Sequence, residues 1–292
     1  MTGVRVSGAT RLYAVLGDPV TQVRAPELLN PLLAGLGVDA VVVPVQVGRG
    51  DLADVVRGLM RVGNVDGLLV TVPHKAAVCA VADELGPAAA VTGTANAVRR
   101  EPDGRLLAEN FDGLGFVRGL RAAGRSVRGA HVFVAGAGGA GGAVAAALLA
   151  AGAARVAVRD PDEARLAGLL ARLARPGAPT QRPGASTHGS AGAYAAGPGD
   201  LARADIVVNA SPLGMRPEDP LPFDPAAVRP DALVADVVMK PHETALLRRA
   251  AALGRPVHHG IHMLENQVTE YRAFFGWPEN PAAPADANSG MS

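Results

Sequence analysis

The stretch HVFVAGAGGAGGAV, residues 131–144, joins a β-branched run to an alanine-rich run through a turn holding Gly136-x-Gly138-x-x-Gly141. Between a strand and a helix this spacing has a mechanical meaning. The first glycine permits the tight turn, the second lets a pyrophosphate approach the backbone, and the third lets the helix pack on the strand. The helix start adds free N–H groups and a partial positive charge. The pattern calls for a parallel α/β sheet and marks Gly136, Gly138, Gly139, Ala140 and Gly141 as candidate dinucleotide-binding positions. A flexible Ala/Gly linker is the plainer reading of the same letters. Residues 132–154 carry no charge and are long enough to cross a bilayer, but they lack the Leu, Ile and Phe content that drives insertion.

The rest of the chain alternates two periodicities. Strand-like runs at 11–17, 40–47 and 67–72 alternate with helix-like stretches at 26–37 and 51–63, which predicts a buried, parallel sheet. Residues 93–110 read as a hairpin turning at Asp103-Gly104. A helix over 112–123 leads into a second series, with strands at 131–136, 155–158, 205–211 and 232–238 and helices at 141–152, 162–174 and 244–254. An amphipathic helix over 263–275 closes the pattern, before a tail of disordered composition. The Gly/Pro/Ser-rich segment 175–200 reads as a surface loop with room for one edge strand. The break between the two series falls near 112–128, so two α/β domains with a cleft between them are expected.

Composition narrows the function class. Of 292 residues 49% are apolar, enough for a large core, and the net charge is +1. Neither a nucleic-acid footprint nor a polybasic membrane patch is expected. A single cysteine, Cys79, excludes an internal disulfide framework. The N-terminal residues show no hydrophobic signal-peptide core, so the expected location is the cytoplasm. No metal site is read from the sequence, and a homodimer is left open.

Two charged residues stand out. GLLVTVPHK ends an apolar run on Lys75, at the C-terminal strand edge where α/β sheets place ligands. Asp112, in AENFDGLGF, opens the helix that joins the two series. Within hydrogen-bonding distance they would form a coupled pair, with the carboxylate orienting an ammonium that exchanges a proton with a reacting oxygen. Taken singly, each also reads as an exposed charge or a helix cap. At the end of the second strand of the glycine series, Asp160 would accept hydrogen bonds from a ribose 2′-OH and repel a 2′-phosphate, which favours NAD. Arg159 beside it favours NADP, and Asp160 also reads as a plain N-cap.

Several linked segments resemble the shikimate dehydrogenase family over nearly the whole chain. They are VLGDPVTQVRAPELLN, GLLVTVPHK, GTANAV, ENFDGLGF, VAGAGGAGGAV, VVNASPLGM, VADVVMKPHETALL and GIHMLENQ, in that order. The resemblance implies a mainly parallel α/β substrate domain from residues 1–112 plus 262–292 and a Rossmann-type dinucleotide-binding domain at 113–261. It implies reversible hydride transfer between a nicotinamide and a ring ketone or secondary alcohol: shikimate, quinate or a related cyclic hydroxy acid or polyol. Lys75 and Asp112 would be the catalytic pair, and Thr71, Asn96 and Gln267 would contact substrate. Met239 and Gly260 would lie by the nicotinamide. Without the resemblance, Asn96 reads as a turn residue, Gln267 as a solvated helix face and Met239 as core.

The sequence also departs from the family. Val23 and Ala25 occupy the places of two serines that hold the substrate carboxylate in the usual motif, and neither side chain can donate a hydrogen bond. Leu69 replaces a usual asparagine, Met239 a usual tyrosine, and Asp160 an arginine of the NADP-preferring members. Either Arg24 or Gln22 takes over the carboxylate, or the substrate carries none there. His74 reads as a further polar contact or a surface residue. NAD, with NADP open, is the expected cofactor. A catalytically silent dinucleotide-binding sensor is the alternative function.

Overall fold

The computed structural model describes residues 6–174 and 192–279, so the tail and most of the 175–200 loop lie outside the described residues. Two six-stranded sheets face each other across a cleft. The first contains β1 (Arg11–Gly17), β2 (Ala40–Gln46), β3 (Val65–Val70), β4 (Glu84–Leu85), β5 (Ala97–Arg100) and β6 (Leu106–Glu109), in the order β2-β1-β3-β5-β6-β4. β1 pairs parallel with β2 and β3, and β5 runs antiparallel to β3 and β6. The hairpin turns at Gly104, whose φ of 89° only glycine adopts readily. Helices α1 (Ala25–Gly35), α2 (Leu52–Leu59), α3 (Pro87–Thr92) and α4 (Asp112–Ala122) belong to this half of the chain.

The second sheet contains β7 (His131–Ala135), β8 (Arg155–Arg159), β9 (Gly192–Ala195), β10 (Ile206–Asn209), β11 (Leu233–Asp236) and β12 (Val257–His258). Every pairing in it is parallel, in the order β12-β11-β10-β7-β8-β9. Read from β9, this is the doubly wound order whose chain reversal, between β7 and β10, opens a ligand crevice at the strands' C-terminal ends. Helices α5 (Gly139–Ala150), α6 (Glu163–Leu173), α7 (Asp200–Arg203) and α8 (Ala245–Ala252) accompany it. α5 is alanine-rich, the strongest helix-forming composition, and buries Val144, Ala145, Leu148 and Leu149 against the sheet. It stops where Gly152 turns left-handed at φ 96°.

The closing segment is two helices, α9 (Ile261–Glu265) and α10 (Val268–Phe275), interrupted at Asn266-Gln267. They return to the first sheet. Leu264, Tyr271, Phe274 and Trp277 pack with Tyr13, Val15, Leu29 and Leu69 in one core cluster. The Trp277 indole N–H donates to the Tyr13 hydroxyl at 2.8 Å. Burying each such large apolar side chain stabilises by roughly 1.5–3 kcal/mol.

α4 holds the two halves together. Its glycines weaken it as an isolated helix but let backbones meet. A β-carbon on Gly113 would lie 2.0 Å from the Ala143 carbonyl oxygen of α5, and one on Gly115 would lie 2.3 Å from the Met263 oxygen of α9. Asp112, the first residue of α4, is thereby fixed at the junction of both sheets.

Candidate active site

A cleft of about 1180 Å³ runs between the sheets, with Thr71, Lys75, Asn96 and Asp112 on one side and the glycine turn on the other. Lys75 follows β3 by a short turn that is pinned from behind. His74 is 1% exposed and its Nε2 lies 2.7 Å from the Val47 carbonyl oxygen, while the Lys75 carbonyl accepts from Ala95 N–H at 2.7 Å. His74 is therefore neither a surface residue nor a cleft contact. It braces the turn that aims Lys75.

Lys75 Nζ donates to Asp112 Oδ2 at 2.5 Å, with the two side chains 12% and 4% exposed. So buried a pair needs its remaining lone pairs satisfied. Asp112 Oδ1 accepts from Asn96 Nδ2 at 2.9 Å and from Gln267 Nε2 at 3.2 Å. The carboxylate also sits at the N-terminus of α4, where the helix dipole favours negative charge. Asn96 is oriented in turn, since its Oδ1 accepts from Phe111 N–H at 3.0 Å and its Nδ2 donates to Gln267 Oε1 at 2.9 Å.

Tyr271 completes this network and was not singled out by sequence. Its hydroxyl donates to Gln267 Oε1 at 2.5 Å and accepts from Asn96 Nδ2 at 3.2 Å. Burial, and then the nearby Asp112 charge, hold the phenol well above its usual pKa, so it remains a donor. The signal was present: Tyr271 lies four residues after Gln267, on the same face of a helix.

On the far side, Gly136 has φ 113°, and a β-carbon there would lie 2.7 Å from the Ala210 carbonyl oxygen. The third glycine packs as its spacing requires: a β-carbon on Gly141 would meet the Gly136 oxygen at 2.0 Å. Gly138 faces open space, with nothing within 4 Å of a β-carbon built on it. The first helical bond of α5 runs from Gly142 N–H to the Gly138 carbonyl, so the N–H groups of the first turn have no partner within the helix. This cradle fits the pyrophosphate of a dinucleotide.

At the adenosine end of such a ligand, Asp160 lines the cleft with its carboxylate already engaged. Oδ2 accepts from Ala137 N–H at 2.7 Å, and Oδ1 accepts from Asp162 N–H at 2.9 Å and from the Arg165 guanidinium at 3.1 Å. The Arg159 guanidinium, also on the cleft lining, lies over the Phe133 ring at 5.4 Å and donates to the Pro222 carbonyl at 2.5 Å. Asp162, not Asp160, caps α6 by accepting from Arg165 N–H.

The structure brings most of the sequence candidates to one cleft. Gln22, Val23, Arg24, Ala25 and Thr71 line it, with Met239. Gly260 and Gly141 stand behind the wall. A β-carbon on Gly260 would lie 2.4 Å from the Val238 carbonyl oxygen, which makes it a packing glycine.

Comparison with known proteins accords with this geometry. Residues 15–98 match the model of the shikimate dehydrogenase substrate binding domain. A shikimate dehydrogenase (NADP(+)) of Rubrobacter xylanophilus is 40% identical over 99% of each chain. The shikimate 5-dehydrogenase of Listeria monocytogenes, solved with shikimate and NAD, shares 28% identity with a TM-score of 0.77, covering 95% of each chain. The ligand-free 5-ketofructose reductase of Gluconobacter sp. strain CHM43 shares 28% identity with a TM-score of 0.73, covering 91% of this chain and 93% of that one. With a relative that similar over its full length, the chain belongs to the shikimate dehydrogenase family, as an NAD(P)-dependent oxidoreductase.

Proposed function

We propose that the protein interconverts a secondary alcohol and a ketone on a polyhydroxylated small molecule, with Lys75 and Asp112 as its proton-transfer pair. The relatives bracket the substrate: their names speak of shikimate and of 5-ketofructose. The observation that carries this reading is the buried contact between Lys75 Nζ and Asp112 Oδ2, beside the glycine cradle.

The chain's own residues divide the work. The first turn of α5 and Gly138 hold the pyrophosphate, and Met239 flanks the nicotinamide. When bound, the nicotinamide accepts or donates hydride. Lys75 Nζ takes the hydroxyl proton during oxidation and returns it during reduction. Asp112 keeps the amine aimed and compensates the ammonium. Thr71, Asn96 and Gln267 hold substrate hydroxyls, and the network through Tyr271 keeps those amides in one orientation. NAD is the preferred cofactor in this reading, since Asp160 stands at the ribose end while Arg159, also on the cleft lining, is drawn to the Pro222 carbonyl and the Phe133 ring. The proposed division of labour is a substrate domain of residues 1–112 plus 262–292 and a cofactor domain of 113–261. The docking of α9 and α10 on the first sheet supports it.

Lys75→Ala tests the assignment. Turnover is expected to fall at least about a hundredfold, while dinucleotide affinity, measured by calorimetry, stays within a few-fold. Surviving turnover would sink the proton-transfer role. A cytoplasmic location and a homodimer complete the reading, and light scattering measures the latter. Among the described residues no helix is long and apolar enough to cross a membrane.

A further inference from the structure

The proposed dehydrogenase reading leaves the substrate's charge open, and the wall around the Lys75–Asp112 pair bears on it. On the side of β1, β3 and the start of α1, the cleft is lined by Val15, Val23, Ala25, Leu69 and Met239, with Leu264 beside them. Val15 and Leu69 are each 3% exposed, so water does not reach behind them. None of these side chains donates a hydrogen bond.

The polar side chains nearest this wall are engaged with partners within the chain. The Lys75 charge is matched by Asp112 at 2.5 Å. Arg24 bridges to Glu27 at 2.9 Å, and Lys240 Nζ donates to the Thr21 carbonyl at 3.0 Å. Gln22 donates through Nε2 to the Pro19 carbonyl at 2.7 Å, which fixes its amide so that Oε1 is the orphan. An orphaned acceptor is the complement of a hydroxyl, not of a carboxylate. Arg49, in the loop after β2, and Lys240 are exposed and border the cleft, so the positive charge left over lies at its solvent-facing mouth and not in this wall. A carboxylate seated among Val15, Val23, Ala25 and Leu69 would thus lose its hydration and gain no donor from those four side chains.

We infer that the substrate is a neutral polyhydroxylated ketone or alcohol that bears no carboxylate: its hydroxyls meet Thr71, Asn96 and Gln267, and its uncharged edge meets Val23, Ala25 and Leu69. This rests on the dehydrogenase reading and narrows it.

The test uses the full chain with NAD and with NADP, and follows absorbance of the reduced nicotinamide. The panel pairs shikimate and quinate with their methyl esters, and adds carboxylate-free cyclic polyols and ketohexoses in the reductive direction. The best neutral member is expected to exceed the best acid in kcat/KM by roughly a hundredfold or more. Adding donors with Val23→Ser/Ala25→Ser is expected to raise kcat/KM for the acids at least about tenfold. Wild-type turnover that favours an acid overturns the inference and leaves the dehydrogenase reading standing. Loss of that acid turnover in Arg24→Gln or Arg49→Gln would then name the residue that holds the carboxylate. No reduction of nicotinamide with any member, although dinucleotide binds, overturns both.

Discussion

Lys75 lies across Gly139: a β-carbon built on that glycine would stand 2.9 Å from Lys75 Cβ and 3.1 Å from its Cδ. The lysine proposed for proton transfer thus rests on the glycine turn proposed to hold phosphate, and the absence of a side chain at 139 is what lets them meet.

Gly139→Ala follows directly. The crowded atoms include the near end of the Lys75 stem, so the lysine and its turn must shift, which disturbs the contact with Asp112. A misplacement of this kind is expected to lower kcat tenfold or more, on the order of 1.4 kcal/mol or above in barrier. Alanine suits the first turn of a helix, but the crowded Lys75 Cβ belongs to a pinned turn, so thermal stability should fall as well. A kcat within twofold of wild type would show that the contact does not position the amine.

Tyr271→Phe separates orientation from proton transfer. Removing the hydroxyl takes away the donor to Gln267 Oε1 and one acceptor of Asn96, at a cost of about 1 kcal/mol in unfolding free energy. The Asp112 contact with Lys75 is untouched. KM is expected to rise several-fold, with the pH profile of kcat unmoved. A shifted pH profile would instead place Tyr271 in the proton path.

Two buried groups set opposing pH dependences of stability. Burial pushes Asp236 up to about 6, against donors from Val238, Thr244 and Asn209 that lower it. Between its ordinary 3.8 and about 6 the native state binds more protons, so this group removes stability as pH rises. Burial, then His262, His259 and Arg125, push His258 down from 6.5 to about 4. There the unfolded chain binds more protons, so this group adds stability as pH rises. The two nearly cancel in the wild type. In His258→Phe, stability relative to wild type is expected to fall by about 1.4 kcal/mol per pH unit from pH 4 to 6.5. In Asp236→Asn the relative stability should rise across pH 4 to 6. Urea unfolding at several pH values measures both, and parallel curves for variant and wild type would refute the pair.

The parallel strands were legible because each buried run is bounded by glycine, proline or a polar turn; β1 and the Asp103-Gly104 hairpin came out as read. The glycine spacing also announced its own packing. What escaped were elements too short for a period to register: α3, the two-residue strands β4 and β12, and the break that splits the closing helix at Asn266-Gln267. The edge strand suspected in the loop is β9. In the site, charged ends of apolar runs were visible, whereas groups that act through partners were not. His74 holds the backbone from beneath, and Tyr271 and Arg165 gain meaning only when distant segments converge.

Arg165 leads to the last prediction. Asp160 is 9% exposed and spends its lone pairs on Ala137, Asp162 and Arg165, so its effect on cofactor choice runs through charge more than through a direct contact with ribose. It holds Arg165, whose side chain is half exposed, and together they present no net cation. Asp160→Ser removes one negative charge and leaves the half-exposed guanidinium paired with Asp162 alone, with its other edge open to a 2′-phosphate, while a hydroxyl remains to receive Ala137 N–H. The ratio of kcat/KM for NADP over NAD is expected to rise about tenfold or more, the scale of one charge-assisted contact. Adding Arg165→Ala to the same chain should return the ratio toward wild type. A gain that survives the second substitution would assign phosphate recognition to another cation bordering the cleft, Arg159 or Arg172.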